Sequence, residues 1–318
     1  MDAEALTPHI VRAFANAQAP GAPAALAALA ADARVARAVA LLRTWDFSTP
    51  TGIREGWDPG DDPDALPAPS AQEVSSSIAA TIYSVWRGQV VQRVLDDTLS
   101  GIGLGDFAPT GDVALADLRQ LLETFPARRG RGASGINFFN VAGAGTPEEA
   151  RDRILLGSLS DALTLLASDA FAPAFDHSTN QNDYRWGKLH RIVFDHPLGG
   201  PFNIPPSGGL FDLEPDLRGV ARSGGFGSVD AASHNVRADG VNEFMFGSGP
   251  ARRFVGTLQR SGPAAEEVIP GGTSGVIGSP FQADQLRLWL TNHYHPWIYR
   301  PDEVLGDASS VEGLEPVH

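Results

Sequence analysis

The sequence predicts an α+β fold, helical over residues 1–170 and strand-rich over residues 171–318. Three observations lead there. The first half holds two capping boxes, Ser70-x-x-Glu73 and Thr146-x-x-Glu149, each ahead of apolar residues at three- and four-residue spacing. The second half carries short β-branched and aromatic runs cut by glycine and proline. The two signals are segregated rather than alternating, which argues against a doubly wound parallel sheet.

In chain order, Thr7-Pro8 reads as the start of a first helix, a hydroxyl cap followed by a first-turn proline, with Ile10, Val11 and Phe14 turned inward. Pro20–Pro23 breaks it, and Ala24–Leu42 reads as one alanine-rich helix with Leu26, Leu29, Val35 and Val39 on its inner face. Asp58–Pro69 is an acidic, proline-rich surface loop. Ser70 opens a long helix from Ala71 to about Leu99, and Asp112 caps a shorter one through Phe125. Thr146 opens a helix to about Ser168, with Leu155, Leu159, Leu163 and Leu166 on one face. Beyond Asp183 the strand candidates are Leu189–Phe194, Gly224–Val229, Glu243–Phe246 and Phe254–Leu258. A glycine-rich turn (Gly271, Gly272, Gly275) then leads to Ser279-Pro280, which reads as a helix start ahead of Leu286, Trp289 and Leu290.

The chain has 318 residues, 42% of them hydrophobic and 19% charged, enough for a sizeable core. A net charge of −14 opposes partnership with nucleic acid or with anionic membrane. Without cysteine there is no disulfide, thiolate metal site or cysteine nucleophile. No apolar run approaches the roughly 20 residues needed to cross a bilayer, and the acidic start MDAEALTPHI lacks a signal-peptide core.

Several local patterns invite chemistry. Gly130-x-Gly132-x-x-Gly135 has the letters of a dinucleotide fingerprint, but that chemistry needs a strand before it and a helix after it. Here a helix precedes it, and Arg128, Arg129 and Arg131 make it a basic surface loop. His190, His196, His293 and His295, with Asp195, form the raw material of a metal site, yet no HExxH spacing accompanies them, so they read as structural and no metal is expected. Lys188, the single lysine, reads as a strand-edge charge rather than a Schiff-base or Ser-Lys group. Asp58, Asp61, Asp62 and Asp64 crowd one loop without EF-hand spacing and read as solvated. No Gly-x-Ser-x-Gly elbow occurs.

Four stretches, in order, resemble blocks of the penicillin acylase family of N-terminal-nucleophile amide hydrolases. Pro270–Leu290 resembles the C-terminal end of the family's β chain, where a PGG-x-SG turn precedes SPH-x-x-DQ and a tryptophan; Phe281 stands here at the histidine position. Tyr184–Leu198 resembles the W-G-x-x-H block with its downstream H-P, Gly249–Leu258 the G-P-S-x-R block, and Thr44-Trp45-Asp46 the W-D that closes the helical region. The resemblance runs from about Leu6 to Pro296. It implies part of an αββα sandwich and a linear amide hydrolase that uses no cofactor. In that family the β chain's first residue, a serine, is the nucleophile and its own α-amine, with a pKa near 8, is the base.

The matched region lies downstream of the family's nucleophile and oxyanion asparagine, so no catalytic residue carries over. Trp186, His190, His196, Gly271 and Gly272 are the matched positions, expected to be structural. Ser178 and Ser233, each followed closely by asparagine, read as loop residues. The implied partners are the α chain and the N-terminal part of the β chain, and the implied substrate is a small acyl amide, in the periplasm or outside the cell if the precursor follows the family. A non-catalytic binding or scaffold module is the alternative, and a metal hydrolase built on the four histidines a third reading.

Overall fold

Leu6, Ile10, Ala13 and Phe14 fall on one face at helical spacing, and their burial defines α1 (Asp2–Ala17). The computed structural model describes residues 2–65, 68–205, 216–227 and 233–314, which divide between two compact units, Met1–Gly249 and Pro250–His318. The change from helical to irregular chain near residue 170 lies within the first unit.

Pro8 is inside α1, not at its start. The carbonyl that proline leaves unpaired belongs to exposed Glu4, where water can serve it, and the buried face of the helix on either side carries it on. The expected single helix over Ala24–Leu42 is two, α2 (Ala24–Ala31) and α3 (Ala33–Thr44). Asp32 divides them: its backbone is extended and its carboxylate accepts the Arg34 N–H at 2.8 Å, so a short polar side chain wins as a cap over continuing the helix.

The long helix begins as read. Ser70 caps α4 (Ala71–Val91) reciprocally, Glu73 N–H donating to Ser70 Oγ at 3.2 Å and Ser70 N–H to Glu73 Oε2 at 2.6 Å. It continues through a π-helical turn, Gln92–Asp96, into α5 (Asp97–Gly101). α6 (Gly111–Glu123) starts after Thr110, with Asp112 inside its first turn rather than capping it, and is followed by α7 (Phe125–Arg128). α8 (Pro147–Leu166) takes its cap from Thr146, whose oxygen accepts the Glu149 N–H at 3.1 Å, while Glu149 reaches back to the Gly145 N–H at 2.8 Å. α9 (Ala172–Phe175) is a single turn.

α4 is buried on every side between α3 and α8, and α8 also packs on α1 and α2. Each fully buried Leu, Ile or Val contributes about 1.5–3 kcal/mol, so this bundle is held by its faces more than by helix propensity. No single described helix is long and apolar enough to cross a membrane.

The five described strands lie in the second half, and the fold is α+β. In the first unit β1 (Arg191–Ile192) pairs antiparallel with β2 (Val220–Ala221). In the second unit β3 (Arg253–Gln259) and β4 (Gly262–Val268) form a hairpin to which β5 (His295–Pro296) adds. Two expected strands do not form among the described residues. Gly224 and Gly227 take positive φ (96° and 68°) and turn the chain, and Ser228 and Val229 lie outside the described residues. Val241–Phe244 is a 3₁₀ turn that drives Phe244 into the core, so that aromatic residue serves packing and not a ladder.

The second unit holds the helices α10 (Leu286–Leu290) and α11 (Pro301–Asp307). Ser279-Pro280 does not start α10: Ser279 Oγ accepts the Phe281 N–H at 3.2 Å in a turn, and the helix begins only at Leu286.

Candidate functional site

The Trp186–His190 block shows why a W-G-x-x-H spacing exists. Trp186–Lys188 is one 3₁₀ turn, and the His190 N–H donates to Trp186 O at 2.8 Å, which brings residues four apart onto one face. The Trp186 and His190 rings stack, 5.0 Å between centroids and 12° between planes, and both residues are fully buried. Gly187 lies so close to the next segment that an added Cβ would sit 2.8 Å from Thr51 O. Its N–H donates to that same oxygen at 2.8 Å.

Thr51 is the hub beneath the block. Its carbonyl also accepts Ser77 Oγ–H at 2.8 Å, and Ser77 Oγ accepts the Trp186 N–H at 2.8 Å. On the other side Thr51 N–H and Oγ1–H donate to the Asp58 carboxylate at 2.8 and 2.9 Å. Burial pushes the Asp58 carboxyl up to about 6 despite those two donors. Asp58 is thus buried, not solvated as the loop's composition suggests, while Asp61 Oδ2 accepts the Asp58 N–H at 2.8 Å and Asp62 Oδ1 the Asp64 N–H at 2.9 Å. These carboxylates close their own turn.

His190 Nδ1 lies 2.9 Å from Phe244 O, an acceptor, so Nδ1 carries the proton and Nε2 is a bare acceptor without a partner among the described residues. Burial pulls its pKa down to about 4, helped by the Arg222 charge. His234 stands edge-on to both Trp186 and His190, with centroids 6.0 Å away. Its Nδ1 faces Asn235 O at 3.0 Å, and Arg87 Nη2 reaches its Nε2 at 3.4 Å. Burial, then Arg87, then His190 hold the His234 pKa well below 6.5. Arg87 is 2% exposed and pairs with Asp2 at 2.6 Å. Burial raises the Asp2 pKa, but the Arg87 charge and hydrogen bonds from Arg87 and Tyr83 outweigh it, leaving the carboxyl below its usual value. Two neutral imidazoles and the buried guanidinium of the Arg87–Asp2 pair thus share one aromatic cage.

Sequence reasoning found Trp186 and His190 but missed Arg87, Asp2 and His234 as their neighbours. The available signal was Arg87 itself, a charge inside the apolar stripe of α4.

The other matched positions hold loops. His196 packs its ring on Phe202 at 5.7 Å, and its Nδ1 accepts the Leu198 N–H at 3.1 Å. In the second unit the Gly271 carbonyl, at φ 84°, accepts the Gln285 N–H at 2.9 Å. A Cβ on Gly272 would lie 2.2 Å from Phe281 O, which only glycine permits. Gln285 Oε1 accepts the Ile269 N–H at 3.0 Å and faces His295 Nε2 at 3.1 Å. Arg253 of the G-P-A-R-R block stacks its guanidinium 4.4 Å over Trp289 and donates to Trp289 O at 2.7 Å. Two sequence motifs are therefore one clamp. Phe281, at the histidine position, is exposed.

The remaining candidates are engaged elsewhere. Lys188 Nζ donates to Ala174 O at 2.8 Å. Ser178 Oγ–H donates to Asp183 at 2.5 Å, and Ser233 Oγ lies 3.1 Å from Ser248 Oγ, so neither hydroxyl is engaged with a histidine in these bonds. His293 Nδ1 lies 2.9 Å from Thr291 Oγ1. Among the described residues no three His, Cys, Asp or Glu side chains converge on a point that could hold a metal.

The family model described as penicillin amidase matches residues 2–305. The chain belongs to the penicillin amidase family. Comparison with curated proteins gives no match. Among solved structures, the thermostable penicillin G acylase from Alcaligenes faecalis is similar at 14% identity and a TM-score of 0.48, over 99% of this chain and 46% of that one. The chain spans less than half the length of that acylase. Within the penicillin amidase family, the blocks Trp186–His190, Gly249–Arg253 and Pro270–Trp289 are here internal fastenings: apart from His190 Nε2, the polar atoms described above meet backbone or side-chain partners.

Proposed function

We propose that this chain is the scaffold portion of a linear acyl-amide hydrolase, the part that holds the frame while a serine at a chain N-terminus performs the chemistry. The family match over residues 2–305 carries this reading. The placement of Ser178 and Ser233, engaged with Asp183 and Ser248, supports a nucleophile outside the described residues. So does β3, an edge strand with Phe254, Val255 and Leu258 exposed, a surface suited to further acylase segments. The α chain and the N-terminal part of the β chain are the partners proposed.

In the complete enzyme the serine's α-amine removes the Oγ proton as the oxygen attacks the amide carbonyl. The tetrahedral oxyanion collapses to an acyl-ester, and the amine leaves with the proton. Water, deprotonated by the same amine, then releases the carboxylate. The present chain's residues act behind that site. The Thr51–Ser77–Trp186 bonds and the Arg253–Trp289 clamp hold backbone in place, and loss of a single oxyanion donor would cost about 10²–10³ in rate.

The experiment compares the purified chain alone with the chain co-expressed with the segments encoded upstream. Phenylacetyl, glutaryl and long-chain acyl amides serve as substrates. Turnover only in the co-expressed form is expected. Turnover by the chain alone, abolished by Ser178→Ala or Ser233→Ala, overturns the reading.

A further inference from the structure

The glycine loop after α7 has no place in the hydrolase scheme, and its geometry is specific. Gly132 N–H donates to Ile136 O and Phe138 N–H to Gly130 O, both at 3.0 Å, so the loop is a small hairpin. A Cβ on Gly130, at φ 82°, would lie 2.8 Å from the Phe139 ring, and one on Gly132 2.9 Å from the Phe138 ring. The glycines let the loop press onto these two rings, of which Phe139 is buried edge-on against Phe125. Beside the hairpin is a cavity of about 430 Å³, within the range of small-molecule sites. Leu95, Leu99, Leu121 and Phe138 give it apolar walls.

Its charge is unusual for a chain of net charge −14. Arg128, Arg131 and Asp117 line it, two cations and one anion, which leaves one net positive charge. Arg129, the third arginine of the loop, is paired with Glu148 at 2.8 Å. Arg131 gives one donor to Gly135 O at 2.9 Å, and Arg128 forms no ion pair among the described residues. The loop's N–H groups at Arg131, Gly132, Gly135 and Phe138 are bonded within the hairpin, so they cannot cradle a pyrophosphate as the fingerprint's letters would suggest. A second negative charge on a ligand would also meet Asp117.

We propose that this cavity binds a monocarboxylate carrying an aryl or medium-length alkyl tail, the tail against Leu95, Leu121 and Phe138 and the carboxylate at Arg128 and Arg131. One net positive charge matches one carboxylate, and a guanidinium presents the donor fork that a carboxylate accepts. The proposal stands whether or not the chain takes part in hydrolysis.

Octanoate, below its micelle concentration, is the probe, titrated into the full chain by calorimetry beside octanamide, which has the same tail without the charge. Octanoate is expected to saturate and to bind about twofold to fivefold more tightly than octanamide at low salt, the size that solvent-exposed ion pairs support. The advantage should vanish in 1 M NaCl, where screening is nearly complete. It should vanish equally in Arg128→Gln/Arg131→Gln, with octanamide binding unchanged. Ser134→Trp, which sets a bulky ring at a lining position of the cavity, should abolish binding of both. Failure to saturate, equal affinity for the two probes, or octanoate binding that survives Ser134→Trp overturns the proposal. If the double variant does not fold, the octanoate–octanamide difference and its salt dependence in the parent chain decide the question.

Discussion

In Met1–Gly249 the family block sits inside a helical core: Trp186 and His190 are fully buried, and their neighbours Arg87 and Asp58 are buried with partners. In Pro250–His318 the matched residues also bond closely, Arg253 to Trp289 and Gln285 to Gly271, but around a thin sheet whose β3 buries only Arg253. Leu258, the last residue of the strand read from the sequence, is 91% exposed. The two units show the same device, a glycine that allows backbone contact, at Gly187 against Thr51 O and at Gly272 against Phe281 O. They differ in what surrounds it. A thick helical layer keeps titratable groups dry in the first unit, and a hairpin open on both faces does not in the second.

The largest test of that contrast is truncation. Trp186→Ala removes a buried indole together with its Nε1–H donation to Gly224 O at 2.6 Å, and should destabilise the first unit by about 3–5 kcal/mol. Leu258→Ala should change stability by no more than about 0.5 kcal/mol. Denaturant unfolding followed by circular dichroism measures both. A comparable loss in Leu258→Ala would mean that β3 is covered in solution, and the contrast between the units would fail.

The next effect sharpens the contrast through pH. His190 has a folded pKa of about 4 against 6.5 unfolded, so its contribution is fully present above pH 6.5 and is lost as pH falls toward 4. The full loss is about 3 kcal/mol at 1.36 kcal/mol per pH unit. Asp58 runs the other way. Its folded pKa of about 6 against 3.8 means stability is present below pH 3.8 and is lost as pH rises toward 6, again by about 3 kcal/mol. Between pH 4 and 6 Asp58 offsets part of this loss, while His234, also held well below 6.5, adds to it, so the parent chain should lose stability with acid less steeply than a chain without the Asp58 carboxyl. Asp58→Asn, which keeps an acceptor for Thr51, removes one arm and should leave stability falling steeply with acid. Melting temperatures across pH 4–7 read this out, and an unchanged slope in the variant argues against opposed titrations.

The smallest effect belongs to the second unit. Gly272→Ala forces a Cβ to within 2.2 Å of Phe281 O and 2.4 Å of Asp284 Oδ1, so backbone must move, at about 1–3 kcal/mol. Hydrogen exchange should rise between Gly271 and Gln285 and stay unchanged at Trp186. A rise at Trp186 would show that the two units open together.

Much of this architecture was legible because its causes are local. A cap acts over three residues, and both capping boxes, at Ser70 and Thr146, start helices as read. Where a local rule failed, a neighbouring residue had a stronger claim. Asp32 caps and so splits an alanine-rich run, and Pro8 is tolerated because the carbonyl it strands faces water. The strand candidates failed at Glu243–Phe246 because Phe244 is needed in the core, which strand propensity cannot register. The candidate site was legible only as motif positions. That Trp186 meets Ser77, 109 residues away, or that Arg253 clamps Trp289, has no signature at either position alone.

By itself the sequence determined the family, the α+β class, the caps and the glycines that the turns require, because each depends on residue identity at short range. Tertiary structure alone decided which charges are dry. Asp58 reads as one of four solvated acids, His234 as a loop residue and Arg87 as an interruption in a stripe. Each acquires its chemistry only when distant helices and loops exclude water around it, and desolvation is a property of the packed neighbourhood rather than of the chain's order.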